Sequence, residues 1–426
     1  MAAPTFTPTR ASRWRRVRLF VLLGILVLLV GYTAADLYAR RSLEAELARL
    51  EPKYGNLRNR TLVAPSVPAA ENRARLVSAA ASLAIPASSA LQTAIGKLES
   101  NSDTDKVPAD LRAFVEQNHD ALVLAKMIVT RPKTSWDVDY GGGGNTPPLL
   151  ELRNLSNLLY LNAMVELDAH RPDEAARMLA TALASASSLN NEPQLIAQLV
   201  RMAMADRQFA GIQRVLAQSD PSKSALEDLA RWLEQGRSDP SRTGLEAEFA
   251  YLSTTLSRLE AGRYDGSLNH GLPASPLLLR IGRPLVRLAH ARYLRTMDRL
   301  LAYQGGPRPR PEWEPPPASR WSPLDTFVNL SLPGLARTIQ TADDYMSMLG
   351  ACEISVALRR YKLDHGSYPD DLAALTPAYL DKLPINPYTG QVPVYARDGS
   401  GFSLKAPRDK RYPPTQRPLQ NWTIAK

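Results

Sequence analysis

Cysteine is almost missing from this chain, which carries only Cys352. No internal disulfide can form, so a secreted fold stapled by bridges is excluded. A lone thiol also needs a positioned base to serve as a nucleophile. Nothing in the sequence around Cys352 offers one, and it is expected to be a small buried side chain on a helix. Aromatic residues are scarce at 7%. Ala and Leu must therefore fill the core, which favours helices packed closely on helices. The five histidines, His119, His170, His270, His290 and His365, include no pair at the spacing of helical metal ligands and no HExxH. No Gly-x-Ser-x-Gly occurs. Glycines 141–144 run up to Pro147-Pro148 without the Lys-Ser/Thr or the preceding strand of a phosphate loop, and read as a connector. No catalytic, cofactor-binding or metal-binding residue is expected.

What is present is globular: 426 residues, 44% hydrophobic and 22% charged, enough for two or three folding units. The net charge of +10 is concentrated at the ends. Arg10, Arg13, Arg15, Arg16 and Arg18 meet no acid, and a basic tail is expected over 409–426. Between the first cluster and Asp36, Leu19 to Ala35 runs without a charge. At about 1.5 Å per residue this reaches the short end of a membrane span, with Trp14 and Tyr32 as interfacial rings. The expected layout is a cytoplasmic basic segment over 1–18, a transmembrane helix over 19–35, and an exported remainder. Cleavage as a signal peptide at Thr33-Ala34-Ala35 is the rival reading. The helical pattern continuing through Leu43 and Leu47 favours an uncleaved anchor. Nucleic acid is not an expected partner of an exported chain, whatever its charge.

An extracytoplasmic helical domain is expected over 36–304. Pro-broken sequence at 52–70 precedes helical patterns near 71–84, 87–100 and 108–130. The strongest block, 149–235, carries the stripe Leu152, Leu155, Leu158, Leu159 and Ala163, a turn at Arg171-Pro172-Asp173, and a return helix through Ala175, Ala176, Leu179 and Ala182. Ala163, Ala175 and Ala182 resemble the small positions of a tetratricopeptide helix pair. No second copy stands in register, so the block is a helical hairpin and not a repeat array. Helices near 244–262 and 275–304 follow. Glu44, Glu46, Glu246 and Glu248 are expected on solvated helix faces. The 275–304 helix is basic, with Arg280, Arg283, Arg287, Arg292, Arg295 and Arg299. Its arginine stems suit the surface of a bundle, or a membrane surface. Residues 305–335 are expected to be a Pro-rich linker or strap docked by Trp313 and Trp321. A last helix, from Pro333 or Ala336 to Leu363, leads into a module over 336–408.

That module carries the densest punctuation. Gly366 is a left-handed helix stop. Tyr368-Pro369 turns the chain, and Leu372, Leu375 and Leu380 face inward from a short helix. Pro384 and Pro387 hold an extended segment, and Gly390 closes a turn. Val392–Tyr395 and Gly401–Leu404 alternate like a hairpin about Arg397-Asp398-Gly399-Ser400. The order Tyr361, Asp364, Gly366, Tyr368, Pro369, Leu383, Pro384, Pro387, Gly390 resembles the globular part of the major pseudopilin of type II secretion systems. The resemblance covers under a fifth of the chain. It implies a small α+β fold and an envelope setting. It departs from the family in lacking the prepilin start and in standing far from the membrane helix, so polymerisation is not expected. The family's calcium site is matched here only by Asp398 and Asp409 among basic residues, so no metal is expected. The chain as a whole resembles uncharacterised membrane-anchored bacterial proteins that join such a helical body to this module.

The expected class is therefore mainly α: a membrane helix, a partly tetratricopeptide-like helical body and a pseudopilin-like module. The expected role is a non-enzymatic, single-pass inner-membrane scaffold of a bacterial envelope, contacting other envelope proteins and linked to secretion. An extracytoplasmic ligand-binding or sensing domain and an exported hydrolase are the alternatives. The best acid–base cluster is Asp364-His365 with Asp370-Asp371. It reads more simply as Asp364 paired with Arg359 or Arg360 at a helix end, beside an exposed His365.

Overall fold

The computed structural model describes residues 10–58, 66–100, 106–136, 138, 146–263, 276–314, 323–399, 401–405 and 421–424. Glycines 141–144, His270, Trp321, Asp409 and most of the tail lie outside these described residues. Among them, helix dominates. In chain order the helices are α1 (Arg10–Tyr54), α2 (Arg73–Leu83), α3 (Ser89–Ser100), α4 (Ala109–Gln117), α5 (His119–Ala125), α6 (Leu149–Asp168) and α7 (Pro172–Ser187). They continue with α8 (Leu195–Gln218), α9 (Lys223–Gln235), α10 (Pro240–Glu260), α11 (Pro276–Ile281), α12 (Arg283–Gln304) and α13 (Pro323–His365). Three short strands close the chain: β1 (Val394–Asp398), β2 (Gly401–Lys405) and β3 (Asn421–Ile424).

The chain divides into two compact units, and neither follows the expected domain boundaries. The first comprises Met1–Arg60, Phe249–Arg299 and Pro316–Leu332. In it, α1 changes character along its length. From Val17 to Tyr38 its large apolar residues lie in the open, Leu28 being 74% exposed. From Ala39 onward, Ala39, Leu43, Leu47 and Leu50 are buried, at the spacing of one helix face. α1 is the one helix among the described residues long and apolar enough to cross a membrane. α12 runs parallel to it. Tyr32 OH donates to the Arg280 carbonyl, Arg287 pairs with Asp36 and Arg49 with Asp298, across near-constant separations of 248, 251 and 249 residues. α10 runs the other way, with Phe249 against Tyr54 and Tyr293 and Glu260 on Arg287. Gly282 breaks the expected 275–304 helix into α11 and α12.

The second unit comprises Thr61–Glu248, Leu300–Pro315 and Pro333–Lys426. α7 is its centre, buried nearly all round from Ala175 to Ser187, as expected of a helix that packs on several others. It contacts α6, α8 and α9. Ala163, Ala175 and Ala182 are fully buried in the α6–α7 hairpin, where small side chains permit close packing. Local chemistry sets the helix starts. Asn72 caps α2, Ser222 caps α9, and the Asp239 side chain accepts from the Ser241 and Arg242 amides at the start of α10. Asn118 divides the expected 108–130 helix, its side chain accepting from Ile85 N and donating to Phe114 O.

Three expectations need correction here. The linker expected over 305–335 is helical from Pro323, because α13 starts there and carries Pro333 inside it. Its earlier part does form a strap, held by Arg308 and Arg310 on Asp343 and by Trp313 against Tyr303. The basic tail expected over 409–426 contributes β3, which pairs antiparallel with β2 in a β1-β2-β3 sheet. Finally, the 336–408 segment does not fold apart. Leu372, Leu375, Leu380, Phe402 and Leu404 belong to the same buried cluster as α6–α9. Phe402 and Leu404 alternate inward on β2.

Candidate functional site

Two places concentrate polar chemistry in the second unit. The first is the punctuated segment. α13 ends at His365, and Gly366 at φ +77° turns the chain with a conformation that side-chain-bearing residues disfavour. Tyr361 stacks on His365 at 4.0 Å and leans on Tyr379. Asp364 does not pair with Arg359 or Arg360. It accepts from Lys223 Nζ at 2.7 Å and from Tyr379 OH at 2.9 Å, and the Lys223 bond, then the Tyr379 bond, holds its carboxyl below the usual range. Tyr368 is buried edge-on against Phe402, and burial raises its phenol pKa. The Pro369 carbonyl accepts from Tyr395 OH at 2.7 Å. Pro384 lies where Gly350 of α13 leaves room, since a Cβ on Gly350 would come within 2.8 Å of it. Pro387 and Asn386 are buried, and Asn386 Oδ1 accepts from the Tyr388 amide.

Gly390 shows how tight that fold is. It sits at φ +69°, and a Cβ there would lie 2.8 Å from the Arg308 carbonyl oxygen. Gly390→Ala is expected to destabilise by about 2 kcal/mol, through left-handed strain plus displacement of the strap. Urea unfolding followed by circular dichroism checks it, and a change under about 0.5 kcal/mol would show that the strap yields freely.

Asp364-His365 and Asp370-Asp371 do not converge on one site. Asp370 pairs with Arg397 at 2.9 Å, Asp371 accepts from the Ala373 amide, and His365 Nδ1 bonds the Tyr361 carbonyl. His119 and His170 are exposed on other elements. His290 is buried in the first unit on Ser253. Cys352 is fully buried on α13, and burial raises its thiol pKa well above the ordinary value. No group of three or more His, Cys, Asp or Glu poised for a metal occurs among the described residues.

The second place was not visible in the sequence. α9, α13 and the Tyr379–Asp381 segment enclose a cleft of about 230 Å³. Arg231, Arg237 and Arg360 line it together with Glu234, Glu353 and Asp381. Arg237 Nε donates to Glu353 Oε1 at 2.7 Å, and the Glu353 side chain is almost fully buried. Burial raises the Glu353 carboxyl pKa, with Arg237 opposing. Arg360 lies 5.5 Å from the Tyr379 ring and 3.9 Å from Glu227. Cations and carboxylates balance, and the volume is below that of pockets that enclose drug-sized ligands. Arg237 and Glu353 stand 116 residues apart. The one sequence signal was an acid inside the apolar run Ala351-Cys352-Glu353-Ile354. Glu248, expected on a solvated face, is half-buried, and burial raises its carboxyl pKa. Glu44 is exposed and pairs with Arg58, whereas Glu46 is half-buried and pairs with Arg49.

Comparison of the chain with protein-family models, with curated proteins and with solved structures finds no match.

Proposed function

We propose that this chain is a single-pass bacterial envelope protein, amino terminus in the cytoplasm, whose exported helical body is a protein-interaction scaffold linked to secretion. The observation that carries the reading is α1. One unbroken helix has an apolar half open on all sides and a half packed into the first unit. Such a helix needs a non-aqueous cover for the first half only, which a bilayer supplies. Arg15 and Arg18 sit exposed at its start, on the side that positive charge keeps in the cytoplasm. Retention over cleavage is supported by Tyr32, whose hydroxyl is bonded to Arg280, since cutting after Ala35 would remove that contact. The scaffold role is supported by the second unit. The charged groups of its punctuated segment, Asp364, Asp370 and Asp371, are held in folding contacts, its cleft is small and charge-balanced, and the pseudopilin-like segment leaves Leu363, Ile385 and Val394 exposed.

The test has two arms. Alkaline extraction and protease protection of membranes should find the full-length chain in the pellet, with its carboxyl terminus protected inside the envelope. A soluble form beginning at Asp36 would overturn the anchor. Photo-crosslinkers placed at Ile385 and Val394 should capture a discrete envelope protein in the native host. Absence of any adduct, together with hydrolysis of a test ester or peptide by the purified chain, would overturn the scaffold.

A further inference from the structure

We propose that Pro276–Leu285 is a second membrane contact, a short amphipathic wedge seated in the outer leaflet of the bilayer beside α1. The proposal rests on reading α1 as a span. Three observations on the first unit carry it. Leu277, Ile281 and Leu285 are 66%, 59% and 44% exposed, and their spacing of four places them along one side of α11 and the start of α12. Gly282 is the one residue between the two helices, and its carbonyl accepts from the Leu285 and Val286 amides in the first turn of α12. Arg280 and Arg263 are exposed on the same connection, cations of the kind that reach lipid phosphates while neighbouring carbons enter the acyl region.

The depth follows from the parallel register of α1 and α12. Tyr32 meets the backbone of Arg280, and Asp36 meets Arg287. With both helices rising about 1.5 Å per residue, Leu277 lies level with Leu28–Leu29. Ile281 then lies level with Tyr32, and Leu285 near Asp36. If α1 spans from Leu19 to Ala35, Leu277 lies about 10 Å inside the outer end of the span, in the hydrocarbon, Ile281 about 5 Å inside it beside Tyr32, and Leu285 at the headgroups. A free apolar face at that height is continuous with the exposed apolar surface of α1. The cover it fits is therefore lipid. The consequence is orientation: a helix alone can swivel, whereas a helix plus a lateral wedge fixes how the exported body stands on the membrane.

The test uses the full chain in vesicles of phosphatidylethanolamine and phosphatidylglycerol. Single cysteines at Leu28, Leu277, Ile281, Leu285 and Tyr251 are spin-labelled one at a time. Native Cys352 is fully buried and stays unlabelled. Collision with oxygen and with a water-soluble nickel complex is read at each site, with Tyr251 as the aqueous reference. Position 28 should be lipid-like. Positions 277 and 281 should shift to its oxygen-rich, nickel-poor ratio, and 285 should fall between. Lipid-like 28 with water-like 277 and 281 overturns the wedge and leaves the span standing. Water-like 28 overturns the span and the wedge with it. Exclusion of both reagents with spin–spin broadening at 277 and 281 assigns the face to a second copy of the chain, which also overturns the wedge.

Discussion

Arg359→Ala is expected to lower the stability of the second unit by about 3 kcal/mol, through carbonyls left without a donor and the cavity the side chain leaves. Arg359 lies on α13 with its side chain almost fully buried. Its guanidinium reaches the end of α8, where the last carbonyls have no intrahelical donor. One nitrogen donates to the Leu216 carbonyl and, at 3.3 Å, to Ser219 O. Another donates to Asp220 Oδ1 at 2.6 Å. One side chain thus caps α8, holds the α8–α9 turn and ties both to α13. Truncation leaves two enclosed carbonyls without donors and opens a cavity. Arg359→Met fills the space but supplies no donor, and should recover less than half of the loss. Arg359→Lys restores the charge without the fork, and should fall between the two. Urea unfolding of the full chain in detergent, followed by circular dichroism, reads all three. A loss under about 1 kcal/mol for the alanine variant would show that water replaces the guanidinium at the helix end.

The second large effect is a dependence on pH in the first unit. His290 on α12 is fully buried. Its Nε2 lies 2.8 Å from Ser253 Oγ, and Ser253 donates its one hydroxyl proton to the Leu57 carbonyl at 2.6 Å. His290 Nε2 must therefore carry a hydrogen and donate it, and in the neutral ring that burial favours Nδ1 is bare. Burial, and then the charge of Arg58, pushes its pKa down to about 3. The unfolded chain has an ordinary histidine, so on acidification it takes up the proton first. The stability held by neutral His290 is complete above about pH 6.5, is lost as pH falls, and is gone near pH 3. A shift of this size corresponds to about 3–5 kcal/mol at most. Hydrogen exchange of the α10 amides around Ser253, corrected for intrinsic rates, should show protection falling through that window. In His290→Gln the fall should be missing, and the difference between the two proteins isolates it. Glu248 and Glu353 act in the opposite direction, because raised carboxyl pKa values favour the folded state as they take up protons. Parallel pH profiles for the wild type and His290→Gln would refute the assignment.

The helices were legible because their signals are local. Periodic Leu and Ala, the start at Pro172, and the stop at Gly366 each act within a turn or two of chain, and the structure places helix ends at or near them. The apolar run from Leu19 was legible for the same reason. The hairpin was displaced by two residues at its start, from Val392 to Val394, an ordinary error at an element edge. The burial of the C-terminal leucines was legible too, since a short helix between turns has one face to hide.

What stayed hidden were relations between distant residues. Arg359 and Asp220 are 139 positions apart, and Arg237 and Glu353 are 116. A chain with 52 Lys and Arg against 42 Asp and Glu offers far too many possible pairs for spacing to choose among them. Nothing in the sequence near Asp364 points to Lys223, 141 positions away. Glu248 looked solvated because helical pattern reports a face and not what covers it. The assembly of one unit from 1–60 and 249–299, and the recruitment of 421–424 as a third strand, depend on long loops being closed by packing, at an entropic cost the sequence does not display. Local sequence determined which segments are helices and which one can enter a bilayer. Tertiary packing decided which charges are buried, which termini are tied down, and which apolar faces remain open for something else to cover.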